Sequence, residues 1–420
     1  MKEILQNNFY RNKSIIVFII TLILIMYLIH DNELYVILGH YAITDHFIDW
    51  EFVRGFIKCS IEGKNRYLDN TCDILNRKAV YPPLWQYIPN IIYYLKPIFI
   101  FWISFICLVT IITISASPDN VYKFTILTLT IFSPYFLYAY QRLNVEIIFL
   151  IFTFIFIFLY ESNNQIKKII GEMLIFLMFF LKIYTAPLFL FVLNENKSKV
   201  ILYFFLGLFL IFFFLFNFQE EFRIISINKD MAGLPGSGTF SGSSFYFFLI
   251  NIFGYNASTH SYVYIFLNLF LIILIFFIIK TKKEGDNDND LNLNEKLWTA
   301  GFLILIFCFI FSYNVNYRLI FVALLIPLFF DKNFYKNKDN LNLSLFFLII
   351  FFLRCHLPTL ILHLVAKKKE FVNIVFENYM FDIFDSILQW ILIVVLIKIC
   401  KKNNFIKRLF RNQFLRKLRI

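Results

Sequence analysis

Charge is what this chain has least of. Only 16% of its 420 residues are Asp, Glu, Lys or Arg, 60% are hydrophobic, and the mean hydropathy is +0.69. A soluble domain of this size needs far more charge to cover its surface, so an ordinary soluble enzyme is excluded. Metal spacing is missing as well. The six cysteines (59, 72, 107, 308, 355 and 400) form no Cys-x-x-Cys or Cys/His pattern. A cleavable signal is not seen: no small-residue cleavage site follows the apolar run 15–29 behind Arg11 and Lys13, which reads as a signal anchor with its N-terminus inside. The glycine-rich stretch Gly233-Leu234-Pro235-Gly236-Ser237-Gly238-Thr239 lacks the Lys-Ser/Thr ending of a phosphate loop, and a flexible acceptor-side lid is the better reading. The basic excess of +12 sits in short loops and at the tail rather than on one face, so nucleic acid is not expected as a partner.

What the chain does contain is apolar runs of membrane length from one end to the other. The expected class is an all-α, polytopic membrane helical bundle of about twelve membrane segments. These fall near 14–29, 98–116, 123–140, 145–160, 168–181, 184–193, 199–217, 261–280, 297–312, 317–330, 344–364 and 384–400. A single transmembrane domain is expected over 1–400, followed by a basic tail at 401–420 that carries eight Lys or Arg and reads as a surface helix on anionic lipid. The positive-inside rule favours a hairpin at 182–187, which leaves both termini cytoplasmic. That topology sends the unusual polar stretches outward: loops 30–97 and 218–260, Gln141 to Asn144, Lys182, and Asn314 to Arg318. Ionisable groups near membrane depth are costly and usually functional, and independent structural pairing of each is the alternative.

The first of these loops carries the sharpest pattern. Residues 47–62 have helical periodicity, with Ile48, Phe52, Val53, Phe56, Ile57 and Ile61 on one arc and Glu51, Arg54, Lys58 and Glu62 opposite. An amphipathic helix at the membrane interface is expected, ended by Gly63. Asp49 falls inside the apolar arc. A carboxylate buried without a partner holds its proton more tightly, the profile of a general base. Asp45 reads first as the N-cap of this helix, with a catalytic role as the alternative. A divalent ion held by Asp49 and Asp45 stays open, although no metal constellation is evident and no cofactor is expected. Cys59 and Cys72 share the loop and either pair as a disulfide or remain free thiols.

Taken together, Asp49, Gly63, Tyr67 and Tyr81-Pro82-Pro83, then Gln141 with Asn144 and Lys182-Ile183-Tyr184 with Pro187, carry a resemblance. The chain resembles the polytopic GT-C glycosyltransferases, and among them glycosyltransferase family 87, bacterial polyprenyl-phosphate-sugar-dependent mannosyl- and arabinofuranosyltransferases once grouped as a domain of unknown function. The likeness covers residues 40–190 best. It departs in the spacing of Pro187, which stands three residues after Tyr184 rather than directly after it. It also touches the first mannosyltransferase of GPI assembly, whose DxD reads here as Phe47-Ile48-Asp49.

The resemblance implies a GT-C fold in a bacterial cell membrane and an inverting transfer of a hexose or pentose. The donor is a polyprenyl-phosphate sugar and the acceptor a lipid-linked or glycan hydroxyl. Asp49 is then the base. Arg318, Lys182 and Arg142 are candidates for the donor phosphate, and Tyr67, Tyr81, Pro82, Pro83, Gln141 and Asn144 for the substrate loop. Arg354 and His356 are further cationic candidates. Snorkelling or helix capping is the competing role for each cation. The rival functions are a transporter or flippase of lipid-linked sugars, and a surface-polysaccharide polymerase or ligase. A transporter predicts internal repeats and midplane polar residues, and no repeat is visible.

Overall fold

A computed structural model describes residues 2–30, 46–67, 71–73, 77, 81–192, 197–230, 291–310, 316–366 and 375–409. The protein is all-helical, 84% helix without strands among the described residues. Leaving single-turn helices aside, the order is α1 Lys2–His30, α2 Ile48–Ile61, α3 Pro97–Ala116, α4 Val121–Ile131, α5 Pro134–Gln141, α6 Glu146–Glu161, α7 Gln165–Leu181, α8 Lys197–Asn217, α9 Gln219–Asp230, α10 Leu293–Ile310, α11 Lys338–Ala366 and α12 Val375–Lys402.

Two of these helices, α3 and α10, are long and apolar enough to cross a membrane, or up to four spans if each bent pair of helices counts as one. Among the described residues the count is therefore two to four and not about twelve. The apolar runs are interrupted in ways that hydropathy alone passes over. The run 123–140 is cut in two by Pro134, which starts α5 and disfavours helix in the residue before it. α7 carries Lys167, Lys168 and Glu172 within its 17 residues. The runs at 184–193 and 317–330 open as 3-10 turns, Ile183–Leu188 and Asn316–Leu324. Segment 261–280, the 233–239 stretch and the acidic 286–290 linker lie outside the described residues.

The chain divides into two compact units. The first comprises Met1–Thr44, Phe105–Ala139 and Pro235–Ile406. Its centre is α10 packed on Asn316–Leu324, and the approach is close: a Cβ on Gly301 would stand 2.8 Å from Leu324 Cβ. Trp298 is fully buried and lies against Phe302 and Phe405, with ring centres 5.2 and 4.9 Å away. Phe405 and Ile406 are buried in this unit, and residues 410–420 of the expected surface helix lie outside the described residues. α11 and α12 pack together across an ion pair. Arg354 donates from Nη2 to Asp385 at 3.0 Å and brings Nε within 2.7 Å of its other oxygen, while Gln389 donates to Asp385 at 2.6 Å. The side chain of His356 lies outside the described residues.

The second unit comprises Asp45–Ser104, Tyr140–Leu234 and Lys407–Ile420. α6 and α7 form its hairpin. Asn164 caps α7 by accepting from the Ile166 N–H at 2.9 Å. Gly171 lets the two helices approach, since a Cβ there would meet Leu159 Cβ at 3.2 Å. Glu172 is fully buried in α7. It accepts from the Tyr203 hydroxyl of α8, and Lys199 Nζ stands 4.0 Å away. The expected break at Lys182 is present: α7 ends at Leu181, Lys182 is extended, and a 3-10 turn follows.

Candidate functional site

The site is built on α2, in the second unit. Its periodicity predicts a helix over 47–62, and Ile48–Ile61 is helical. Gly63 follows with φ +67°, the left-handed position that favours glycine. The start of the helix differs from expectation. The N-cap position is Phe47, left-handed at φ 63°, and among the described residues no side chain caps it. Asp45 therefore does not occupy the N-cap position, and it lies outside the described residues. The unpaired N–H groups of the first turn are met by backbone instead. Phe47 N–H donates to Gln141 O at 2.8 Å and Asp49 N–H to Arg142 O at 3.0 Å. Leu143 is also left-handed, φ 47°, and bends the chain around this contact.

These two backbone bonds place the Gln141–Asn144 turn directly on Asp49. Asp49 is buried with Phe52, Val53, Phe56 and Ile57, as the helical projection predicts; Trp50 is buried too, while Ile61, expected on the same arc, is exposed. It is not without partners. Arg142 donates to both carboxylate oxygens, Nε to Oδ2 at 2.8 Å and Nη2 to Oδ1 at 2.7 Å. Asn144 donates to Oδ2 at 2.5 Å, and Arg77 Nη1 reaches Oδ1 at 3.4 Å. A carboxylate offers about four acceptor positions, and four donors address this one. The expectation of an unpartnered base is corrected to a carboxylate held by two guanidinium groups and an amide.

Arg77 is itself anchored. Its Nε and Nη2 donate to Asp73 at 3.1 and 3.0 Å, its backbone N–H to the same carboxylate at 2.9 Å, and Nη2 to Ile48 O at 2.6 Å. Burial pushes the Asp73 carboxyl up, but the hydrogen bonds and charge of Arg77, with Arg66, hold it below the usual carboxylate range. Arg66 is almost fully buried. Its guanidinium lies over the rings of Phe52 and Phe56 at 4.0 and 3.9 Å, donates to Phe52 O, and stands 3.7 Å from Asp73. Burial lowers its pKa to about 10, although the charge of Asp73 works the other way. Cys59 and Cys72 form a disulfide with their Cα atoms 5.6 Å apart, which settles the pairing and ties the residue before Asp73 to α2.

A second group joins the first through Asn144, whose Oδ1 accepts the Glu146 N–H at 3.0 Å. The Glu146 side chain is fully buried, accepts from the Tyr184 hydroxyl, and lies 3.6 Å from Lys182 Nζ. Lys182 in turn sits 4.0 Å over the Tyr81 ring. Tyr67 donates to Tyr81 O at 2.6 Å, and burial raises its pKa. Pro82 and Pro83 open the 3-10 turn Pro83–Tyr87, in which Trp85 Nε1 donates to Leu181 O at 3.0 Å. Gln141 is buried, and its Oε1 makes no hydrogen bond among the described residues. Beside this network lies a cavity of about 300 Å³ with an almost wholly apolar lining that includes Trp50, Val53, Trp85, Val145, Phe149 and Leu181.

One unit thus gathers Asp49, Tyr67, Tyr81, Pro82, Pro83, Gln141, Arg142, Asn144 and Lys182. Arg318, in the Asn316–Leu324 turn, and Arg354 belong to the other unit. Sequence reasoning missed Arg66, Asp73, Arg77 and Glu146, and it named Tyr184 only within the Lys182-Ile183-Tyr184 motif. The i, i+4 spacing of Asp73 and Arg77 is the pattern of an ion pair, and Glu146 opens a helix directly after the Gln-x-x-Asn turn. No family model, curated protein or solved structure matches this chain.

Proposed function

We propose that the protein is a membrane glycosyltransferase of GT-C type, working on the outer face of a bacterial cell membrane. It moves a hexose, mannose in the first place, or a pentose from a polyprenyl-phosphate sugar to a hydroxyl on a lipid-linked or glycan acceptor. One observation carries the reading. A buried carboxylate flanked by the partly exposed guanidinium groups of Arg142 and Arg77 shares its helix with an apolar cavity through Trp50, and Val145, the residue after its partner turn, lines the same cavity. A lipid phosphate has those two needs, cations for the phosphate and apolar walls for the chain.

In the reaction, the long contact of Arg77 Nη1 with Asp49 Oδ1, 3.4 Å, is the weakest of the four and gives way to the acceptor hydroxyl. Asp49 takes the hydroxyl proton as the oxygen attacks the anomeric carbon. The bond from that carbon to the phosphate oxygen breaks with inversion, and its electron pair leaves on the lipid phosphate. Arg142 and Lys182 offset the charge that develops there. Membranes containing the protein are incubated with radiolabelled polyprenyl-phosphate sugars, and labelled lipid or glycan is followed. Transfer by the wild type and its loss in Asp49→Ala is the expected result. No transfer from any such donor sinks the proposal and favours a transporter.

A further inference from the structure

Asp49 is held on one side by the Gln141–Asn144 turn and on the other by a separate chain of contacts. That chain begins at the disulfide. Cys59, near the end of α2, is bonded to Cys72, and the next residue is Asp73. The backbone at Cys72 is pressed against α2, because a Cβ on Gly55 would meet Cys72 O at 2.9 Å and Arg66 Nη1 at 3.0 Å. Asp73 is 3% exposed, so its position is set on both sides. It takes three donors from Arg77, and Arg77 reaches Asp49 only with Nη1.

We infer that Asp73 and Arg77 are positioning residues for Asp49, and that the Cys59–Cys72 disulfide locks them in place. Asp73 holds Arg77 back from Asp49, so that the fourth acceptor position on the carboxylate is covered by a long, displaceable contact and not by a short one. Without Asp73, Arg77 keeps its bond to Ile48 O but its Nη1 is drawn closer to Asp49 by charge, and the fourth acceptor position closes. With the disulfide reduced, Asp73 loses its covalent tether to α2 and keeps only the links through Arg66 and Arg77, so its hold on Arg77 loosens and the same closure follows. The inference rests on the reading of Asp49 as the base, but the contacts themselves do not.

Two measurements test it, one through activity and one without. In the membrane assay, Asp73→Asn and the Cys59→Ser/Cys72→Ser double variant are expected to lower kcat by about tenfold or more, with KM for the donor within about twofold. Asp73→Glu, which keeps the carboxylate, restores most of kcat. A wild-type kcat in Asp73→Asn overturns the inference. So does an equal loss in Asp73→Glu and Asp73→Asn, which marks a merely structural role. For the second measurement, modification of Arg77 by phenylglyoxal is followed by mass spectrometry in detergent. It is expected to be slow in the oxidised wild type. Asp73→Asn or reduction changes its rate by about tenfold, the scale of one lost charge-assisted bond. An unchanged rate overturns the inference even if no sugar is ever transferred. Absence of transfer with a changed rate defeats the glycosyltransferase reading alone.

Discussion

Arg142 grips both oxygens of Asp49 from a position 93 residues along the chain, at 2.8 and 2.7 Å. The pair closes the contact between α2 and the Gln141–Asn144 turn that two backbone bonds begin. A planar fork meets a carboxylate in this geometry better than a point charge does. Arg142→Lys should therefore lose one of the two bonds and lower thermal stability measurably in detergent. Arg142→Ala leaves Asp49 buried with fewer partners, and with Arg142 partly exposed the loss belongs at the lower end of the range for broken buried pairs, about 3 kcal/mol. Equal melting temperatures for wild type and Arg142→Ala would refute this.

Asp49→Asn keeps the shape and the contact with Asn144 but removes the charge and the base. Transfer should fall by about 10²–10⁴-fold. The readout is kcat in the labelled-donor assay, normalised to the amount of folded protein by size exclusion.

Asp73 sets a pH dependence in the acid range. Burial opposes its ionisation, but Arg77 and Arg66 outweigh burial and hold its pKa below the ordinary 3.8. A carboxylate whose pKa is depressed in the fold contributes stability that is complete above the unfolded value and is lost as pH falls through the folded one. The first loop should resist unfolding down to about pH 5 and weaken below about pH 4. Hydrogen exchange of the α2 amides would show it, and Asp73→Asn should flatten that acid limb.

Gly55 is the close-approach glycine of the site. Gly55→Ala forces Cys72 O or the Arg66 guanidinium to shift, and overpacking of this kind costs about 1–3 kcal/mol. The Cys59–Cys72 bond should then form more slowly, which thiol trapping during expression would detect.

In the first unit, Arg354→Leu leaves Asp385 without its buried cation, with Gln389 still donating, and should destabilise the α11–α12 pair by about 3 kcal/mol. Replacing both residues with apolar ones should recover most of that loss. A double variant no more stable than Arg354→Leu would contradict it.

The helix that carries the site was legible because its signal is local. Ile48, Phe52, Phe56 and Ile57 repeat at helical spacing, and Asp49 breaks the apolar arc in a way that any projection reveals. Gly63 ended it for an equally local reason, whereas the Tyr81-Pro82-Pro83 and Gln141 positions were named through the family resemblance, and Lys182 through that resemblance and the break it makes in an apolar run. Partnership was not legible. Whether Asp49 faces an empty pocket or Arg142 depends on a contact across 93 residues, and no periodicity reports on that. Arg66 was passed over because a lone arginine in a polar loop gives no sign that it will lie between two phenylalanine rings. The span count failed where Pro134 and the 3-10 turns divide apolar runs that a hydropathy window treats as continuous.

Glu172 has a consequence for how the protein is made. α7 alone presents a buried-type carboxylate and two lysines to whatever surrounds it, and lipid would accept such a segment poorly. Its partner hydroxyl, Tyr203, and Lys199 arrive only with α8, synthesised next. A peptide of α7 alone should therefore enter a bilayer poorly, and one that carries α7 and α8 together should enter it better.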